Sequence, residues 1–65
     1  MTIVLNGIET SVDATVLDRV ISELGYGQAR IATAVNGEFV PKGARAATTL
    51  AEGDRVEVIA PLQGG

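Results

Sequence analysis

The sequence contains no cysteine and no histidine, and only 3% of its residues are aromatic. These absences exclude a disulfide framework, a thiol nucleophile, a zinc site of Cys and His ligands and an imidazole general base. Any chemistry must therefore use carboxylates, hydroxyls, amines or the chain ends. Tyr26 and Phe39 are the two aromatic residues, and they are too few and too far apart for a platform on which nucleic-acid bases stack.

The chain is also short, with 65 residues. A domain of this size buries roughly 60% of the surface that its unfolded chain exposes, which is enough for a single core. It can hardly also enclose a drug-sized pocket of roughly 300–1,000 Å³. We therefore expect one domain that is not a self-sufficient enzyme, and we assign no catalytic residue.

Five basic and eight acidic side chains give a net charge of −3. This balance disfavours binding to nucleic acid or to an anionic membrane, and it favours a basic surface on a partner. No apolar run approaches the length of a membrane span, and no basic segment precedes an apolar one at the N-terminus. The expected compartment is the cytoplasm.

The first half of the chain predicts a hairpin and a helix. Asn6-Gly7 separates two short β-like runs, which is typical of a type I′ hairpin over residues 1–12. From Thr15 the apolar period changes to that of a helix of about ten residues, and Thr15 with Asp18 forms a capping-box pattern at its start. Gly25 would end it. The apolar face consists of Leu17, Val20, Ile21 and Leu24.

The second half predicts short strands and one irregular connection. Asn36-Gly37 is a second hairpin turn, Pro41 ends the strand that follows it, and Leu50 is expected in the core. Val56 and Val58 would share one face of the last strand. In chain order the elements are a strand over 31–35, a strand over 38–40, a connection over 42–49 with one helical turn around 44–47, and a strand over 55–60.

This order of elements predicts an α+β fold in which a small mixed sheet packs on one helix. The last strand would lie beside the first, with the helix in the crossover between them. That is the β-grasp, or ubiquitin-like, arrangement. We expect residues 1–60 to form the domain and residues 61–65 to form a flexible C-terminal tail.

Most polar and glycine positions have a structural explanation. The glycines lie in no phosphate-binding motif. Glu52 and Asp54 flank Gly53 as a metal-binding pair would, but acidic residues in a turn before a strand are usually solvated. We therefore predict no metal site.

The remaining candidate is the tail, which ends in Leu62-Gln63-Gly64-Gly65. Two glycines carry no side chains, so such a tail can enter a narrow channel on a partner and present its α-carboxylate there. A carboxylate becomes an acyl donor once its oxygen is converted to a leaving group, as adenylation by ATP would do. The competing interpretation is a frayed end with no chemistry.

Four stretches together resemble the ThiS family, the sulfur carriers of thiamine thiazole synthesis, across essentially the whole chain. One departure is Arg45, where many members have tryptophan. The matching stretches are Leu5-Asn6-Gly7, Ala34-Val35-Asn36-Gly37-Glu38-Phe39-Val40-Pro41, Leu50-Ala51-Glu52-Gly53-Asp54-Arg55-Val56-Glu57-Val58 and Gln63-Gly64-Gly65.

The resemblance implies that Gly65 is adenylated by an E1-like adenylating enzyme and converted to a thiocarboxylate. Sulfur would come from a donor such as a cysteine desulfurase, and thiazole synthase would receive it. Gly64, Gln63 and Leu62 would thread into the partners' active sites. The chain itself would bind no cofactor, since the activating partner uses the ATP.

Other interpretations of the tail stay open. The chain could carry sulfur for molybdopterin, cysteine or tRNA thiolation, it could be a ubiquitin-like protein modifier, or it could be an interaction module with an inert tail. We further expect Phe39 and Ile59, with Leu62, to belong to an apolar patch that faces the partner. The alternative is that Phe39 and Ile59 lie in the core.

Overall fold

The computed structural model describes residues 1–27 and 29–60. It contains one α-helix, one 3₁₀ helix and five short strands. These elements are β1 Thr2–Leu5, β2 Ile8–Ser11, α1 Leu17–Glu23, β3 Ala32–Val35, β4 Glu38–Val40, the 3₁₀ helix Lys42–Ala47 and β5 Arg55–Ile59.

The five strands form one mixed sheet in the order β2-β1-β5-β3-β4. β5 occupies the centre, parallel to β1 and antiparallel to β3. The predicted position of the last strand beside the first is therefore confirmed. The boundary between a domain over 1–60 and a tail over 61–65 stays a prediction, because residues 61–65 lie outside the described part.

The core lies between α1 and one face of the sheet. α1 buries Leu17, Val20 and Ile21. Burial alternates along β5, so Val56 and Val58 face the helix, as predicted, while Arg55, Glu57 and Ile59 face the opposite side. Full burial of a side chain of this size contributes about 1.5–3 kcal/mol. The buried apolar residues are Ile3, Val12, Leu17, Val20, Ile21, Val40, Leu50, Val56 and Val58.

Both Asn-Gly pairs form the predicted hairpin turns. Asn6 and Asn36 have φ of 48° and 51°, and Gly7 and Gly37 each have φ of 85°. Two successive residues with positive φ are the requirement of a type I′ turn, and Asn-Gly is the pair that meets it with least strain. The sheet edges are thus defined locally, by residues adjacent in sequence.

The predicted start of the helix is wrong. α1 spans seven residues rather than about ten, and Val16 occupies the N-cap without a side-chain hydrogen bond. The capping box of Thr15 and Asp18 does not form because the chain here is extended. The Thr15 carbonyl accepts from Leu50 N, and Val16 forms a β-bridge with Thr49.

The entry to α1 is held instead by Glu23, at the other end of the helix. Its carboxylate accepts hydrogen bonds from Asp13 N at 2.8 Å and from Ala14 N at 2.9 Å. These two bonds, with a smaller contribution from the positive N-terminus, lower the pKa of the Glu23 carboxyl below its ordinary value. The carboxylate closes the loop between β2 and α1.

The connection between β4 and β5 is more regular than predicted. Residues 42–47 form a six-residue 3₁₀ helix instead of an irregular segment with one turn. It contains Arg45, whose side chain is buried. The predicted burial of Leu50 is confirmed.

Glu52 and Asp54 use their carboxylates for structure. Thr2 N donates to Glu52 Oε1 at 3.0 Å, and Ala51 N donates to Asp54 Oδ2 at 2.8 Å. Within residues 1–27 and 29–60, no cluster of acidic side chains is arranged as a metal site. No helix of the described part is both long and apolar enough to cross a membrane.

We predict that Glu23→Gln lowers the free energy of unfolding at neutral pH, because the amide oxygen is a weaker acceptor than the carboxylate. A carboxyl group whose pKa is lowered in the folded state stabilises it above the ordinary pKa. This stabilisation is lost as the pH falls through the lowered value. The difference between the two proteins in urea unfolding should therefore shrink in acid and vanish below the folded-state pKa. Glu57→Gln, which removes an exposed carboxylate outside this network, is the control; an equal loss in that variant would contradict the assignment.

Candidate functional site

The candidate site lies where β5 leaves the sheet. Ile59 is the last residue of β5 and pairs with Ala32 of β3. The described residues end at Ala60, so four predicted site residues lie outside them. These are Leu62, Gln63, Gly64 and Gly65.

Phe39 and Ile59 are not in the core. They are 69% and 60% exposed, so the alternative of burial is wrong. Phe39 pairs with Ala34, and Ile59 pairs with Ala32. Because Ala32 and Ala34 are two residues apart on β3, all four side chains lie on the sheet face opposite α1. We call these four residues the tail-side patch.

Asn6 extends the pairing of β5 towards the tail. The register of β1 with β5 reaches Leu5 and Val56, and Asn6 N donates to the Val56 carbonyl at 2.9 Å. The Asn6 side chain then accepts from Val58 N at 2.9 Å and donates to the Val58 carbonyl at 3.2 Å. One amide group therefore satisfies two β5 backbone groups that β1 is too short to reach.

Asn36 binds one backbone group of β5 and one side chain at the start of that strand. Its Oδ1 accepts from Arg55 N at 3.0 Å, and its Nδ2 donates to Asp54 Oδ1 at 3.1 Å. The sequence predicts both asparagines only as turn residues. Their partners lie 52 and 19 residues away in sequence, so no local pattern could indicate them. The one available signal was the choice of asparagine in both turns, where a side-chain amide can donate and accept at once.

A groove of about 350 Å³ lies beside the end of β5. It is open to solvent, so it is a surface depression and not the enclosed pocket that the chain length argues against. It adjoins Arg45, the position at which the sequence departs from the expected tryptophan. Arg45 is only 7% exposed. The residues that line the groove are Ala29, Arg30, Ile31, Ala32, Lys42, Arg45 and Ile59.

Arg45 attaches the 3₁₀ helix to the sheet. Its Nε donates to Thr33 Oγ1 at 3.0 Å and its Nη2 donates to the Ile31 carbonyl at 2.7 Å. Thr33 Oγ1 in turn donates to the Val40 carbonyl at 2.7 Å. A polar network therefore holds β3, β4 and the 3₁₀ helix together, and within the described part no buried side-chain nitrogen or oxygen lacks a partner.

Comparison with known proteins identifies the family. The model of the ThiS family matches residues 3–65. The chain belongs to the ThiS family. It is similar to the crystal structure of the thiamine biosynthesis protein (ThiS) from Geobacter metallireducens, with 32% identity, complete coverage of both chains and a TM-score of 0.82. A solution NMR structure of a thiamine biosynthesis protein from the same organism is 31% identical with a TM-score of 0.76, over all of this chain and 88% of that one.

A third relative is a thiazole synthase of Paramagnetospirillum magneticum. It is 33% identical over 66 aligned residues, which include this whole chain. The ThiS-like chain spans only 20% of the length of that synthase. The match therefore concerns one segment of a much larger protein.

These matches confirm the family resemblance and the α+β, β-grasp fold. ThiS proteins are small sulfur carriers of thiamine biosynthesis and not catalysts. The expectation that this chain is not an enzyme is confirmed on that ground. The roles of individual residues in the ThiS-like tail stay predictions.

We predict that Asn6→Gly lowers the free energy of unfolding by about 1–3 kcal/mol, since two hydrogen bonds to β5 are lost. Glycine keeps the positive φ of this position without strain, so the change isolates the side-chain contacts. Hydrogen exchange should accelerate at the Val58 amide. Asn36→Gly makes the same backbone change at the other end of β5 and should leave Val58 protected. Unchanged protection of Val58 in the Asn6 variant would rule out the proposed contact.

Proposed function

We propose that the chain carries sulfur as a thiocarboxylate on Gly65 and donates it for the thiazole ring of thiamine. The observation that carries this proposal is the extent of the family match, which runs to residue 65 and so includes Gly64-Gly65. The reacting group is the α-carboxylate of Gly65. The proposal therefore takes Gly65 as the end of the native chain, which an intact mass can check.

The chemistry needs three steps on partner enzymes. An E1-like adenylating enzyme joins the Gly65 carboxylate to AMP from ATP and releases pyrophosphate, which turns a carboxylate oxygen into part of a leaving group. A persulfide on the sulfur donor, such as a cysteine desulfurase, then attacks the carbonyl carbon and displaces AMP. A second thiol cleaves the acyl disulfide, leaving sulfur on Gly65 and forming a disulfide from the two partner thiols.

The described geometry supports this division of labour. β5 is bound on both sides as far as Val58, by β3 and by the Asn6 side chain, and Ile59 still pairs with β3, so the described body is ordered up to the residues that precede the proposed tail. Five residues follow Ala60, and an extended segment of that length spans at most about 18 Å. Gly64 and Gly65 contribute no side chains to obstruct a channel, while Leu62 and Gln63 would contact its walls. The reactive carbonyl would thus reach an active site that the folded body cannot enter.

The tail-side patch is the proposed docking surface. Phe39 and Ile59 expose large apolar side chains on one sheet face next to the tail, and such exposed apolar groups are favoured at protein interfaces. Thiazole synthase is the proposed recipient of sulfur. The ThiS-like segment within the synthase of Paramagnetospirillum magneticum supports it.

Two further expectations belong to this proposal. The chain would act in the cytoplasm, and it would bind no cofactor of its own. Nothing in the described residues favours another sulfur pathway or protein conjugation over thiazole synthesis.

We predict that incubation with ATP, the adenylating enzyme and a sulfur donor replaces one oxygen of the chain by one sulfur. Intact mass spectrometry measures the exchange, and fragmentation places it on Gly65. A variant without Gly65 should stay unmodified with its fold unchanged. Attachment to lysines of other proteins would instead indicate a modifier, and growth of a deletion strain rescued by thiazole would assign the pathway.

We predict that Phe39→Ser weakens binding to thiazole synthase and to the adenylating enzyme at least severalfold, because an exposed apolar contact is lost. Ile8→Ser is the matched control. Ile8 is equally exposed, at 70%, but lies on β2 at the opposite edge of the sheet. Isothermal titration calorimetry compares the variants, and thermal unfolding checks that both fold. Equal effects at the two positions would contradict the tail-side patch, and Leu62→Asp tests its continuation into the tail.

A further inference from the structure

The groove beside β5 concentrates positive charge in an acidic protein. Three of the five basic residues line it, namely Arg30, Lys42 and Arg45. None of the described residues that line it is acidic. The net charge of −3 therefore does not describe this surface, and it does not predict what binds there.

Arg45 places a fixed positive charge in the groove wall. Both hydrogen bonds that it makes with described residues go to uncharged oxygens, those of Thr33 and Ile31. A guanidinium group has five N–H donors, so these two bonds leave others for a group in the groove. No buried side-chain nitrogen of the described residues lacks a partner, so the donors left over on Arg45 are accessible. A carboxylate in the groove would accept charge-assisted hydrogen bonds from them.

The groove is continuous with the tail-side patch. Ile59 belongs to both, and Ile31 provides a second apolar wall. Arg30 and Lys42 are exposed at the rim. An occupant that complements this surface has carboxylates beside an apolar side chain.

We propose that this groove binds an acidic segment of a partner enzyme that receives the tail, namely the adenylating enzyme or thiazole synthase. The segment would contain one apolar residue among its carboxylates. The inference rests on the proposed function. It specifies the charge and polarity of the partner surface that contacts the chain beside the end of β5. It reverses the expectation from net charge, which favoured a basic partner surface. Carboxylates at this place would align the partner with β5 and accelerate association, since complementary charges raise the rate of encounter.

The first test uses the full chain and a synthetic peptide, acetyl-Glu-Glu-Leu-Glu-Glu amide, followed by ¹H–¹⁵N NMR. We expect salt-sensitive shifts confined to residues 29–32, 42–45 and 59. The variant Arg30→Glu with Lys42→Glu should lose them. Arg19→Glu with Arg55→Glu makes the same change in net charge outside the groove and should keep them.

Three outcomes of this titration would overturn the proposal. One is the absence of localised shifts, and another is equal binding of the peptide in which glutamine replaces every glutamate. The third is equal perturbation by inorganic sulfate, which would indicate a small-anion site. Both double variants change exposed side chains, and the dispersion of their spectra checks that they fold.

The second test uses the adenylating enzyme and thiazole synthase. The groove variant should raise the concentration needed for half-maximal sulfur loading or transfer by about tenfold, as expected for two lost charge pairs, with little change at saturation. An unchanged concentration dependence, with normal loading of Gly65, would refute the groove and leave the proposed function standing. Failure of the wild-type chain to acquire sulfur would refute the function, and the peptide titration would still decide the groove.

Discussion

The rest of the structure depends on the pairing of β5 at the centre of the sheet. This strand joins the two hairpins, contributes Val56 and Val58 to the core and leads directly to the tail. Its two neighbours run in opposite directions, and β1 is too short to pair with its last residues. The side chain of Asn6 supplies the missing partners at Val58. β5 is consequently ordered as far as the residues that precede the proposed tail. The proposed chemistry requires conformational freedom only beyond them.

Local patterns were sufficient for the elements and for much of the core. Both Asn-Gly turns, the apolar stripe of α1 and the alternation in β5 follow from residues close in sequence. The features misassigned at the helix entry depend on distant partners. Thr15 does not cap the helix because its carbonyl accepts a hydrogen bond from Leu50 N. The Glu23 carboxylate binds the amide of Asp13, which lies ten residues earlier in the sequence. A single sequence contains no signal for such contacts.

The candidate site was predictable in part for the same reason. Phe39 and Ile59 were recognised as apolar and near the tail in the fold, but the sequence left open whether they were buried. The register with Ala34 and Ala32 decides this, because it places both on the face without a helix. In the sequence, Arg45 is distinguished only as a departure from tryptophan. Its role depends on Thr33 and Ile31, which the fold brings together.

The antiparallel pairing of β5 with β3 has a mechanical consequence. Suppose that a partner binds the tail-side patch and pulls the tail into its own active site. The resulting force acts on β5 along the strand axis, relative to β3 and β4. Hydrogen bonds between antiparallel strands run perpendicular to that direction, so they share the force as shear and do not open one at a time. The body can therefore sustain tension on its tail without unravelling from the end that is pulled.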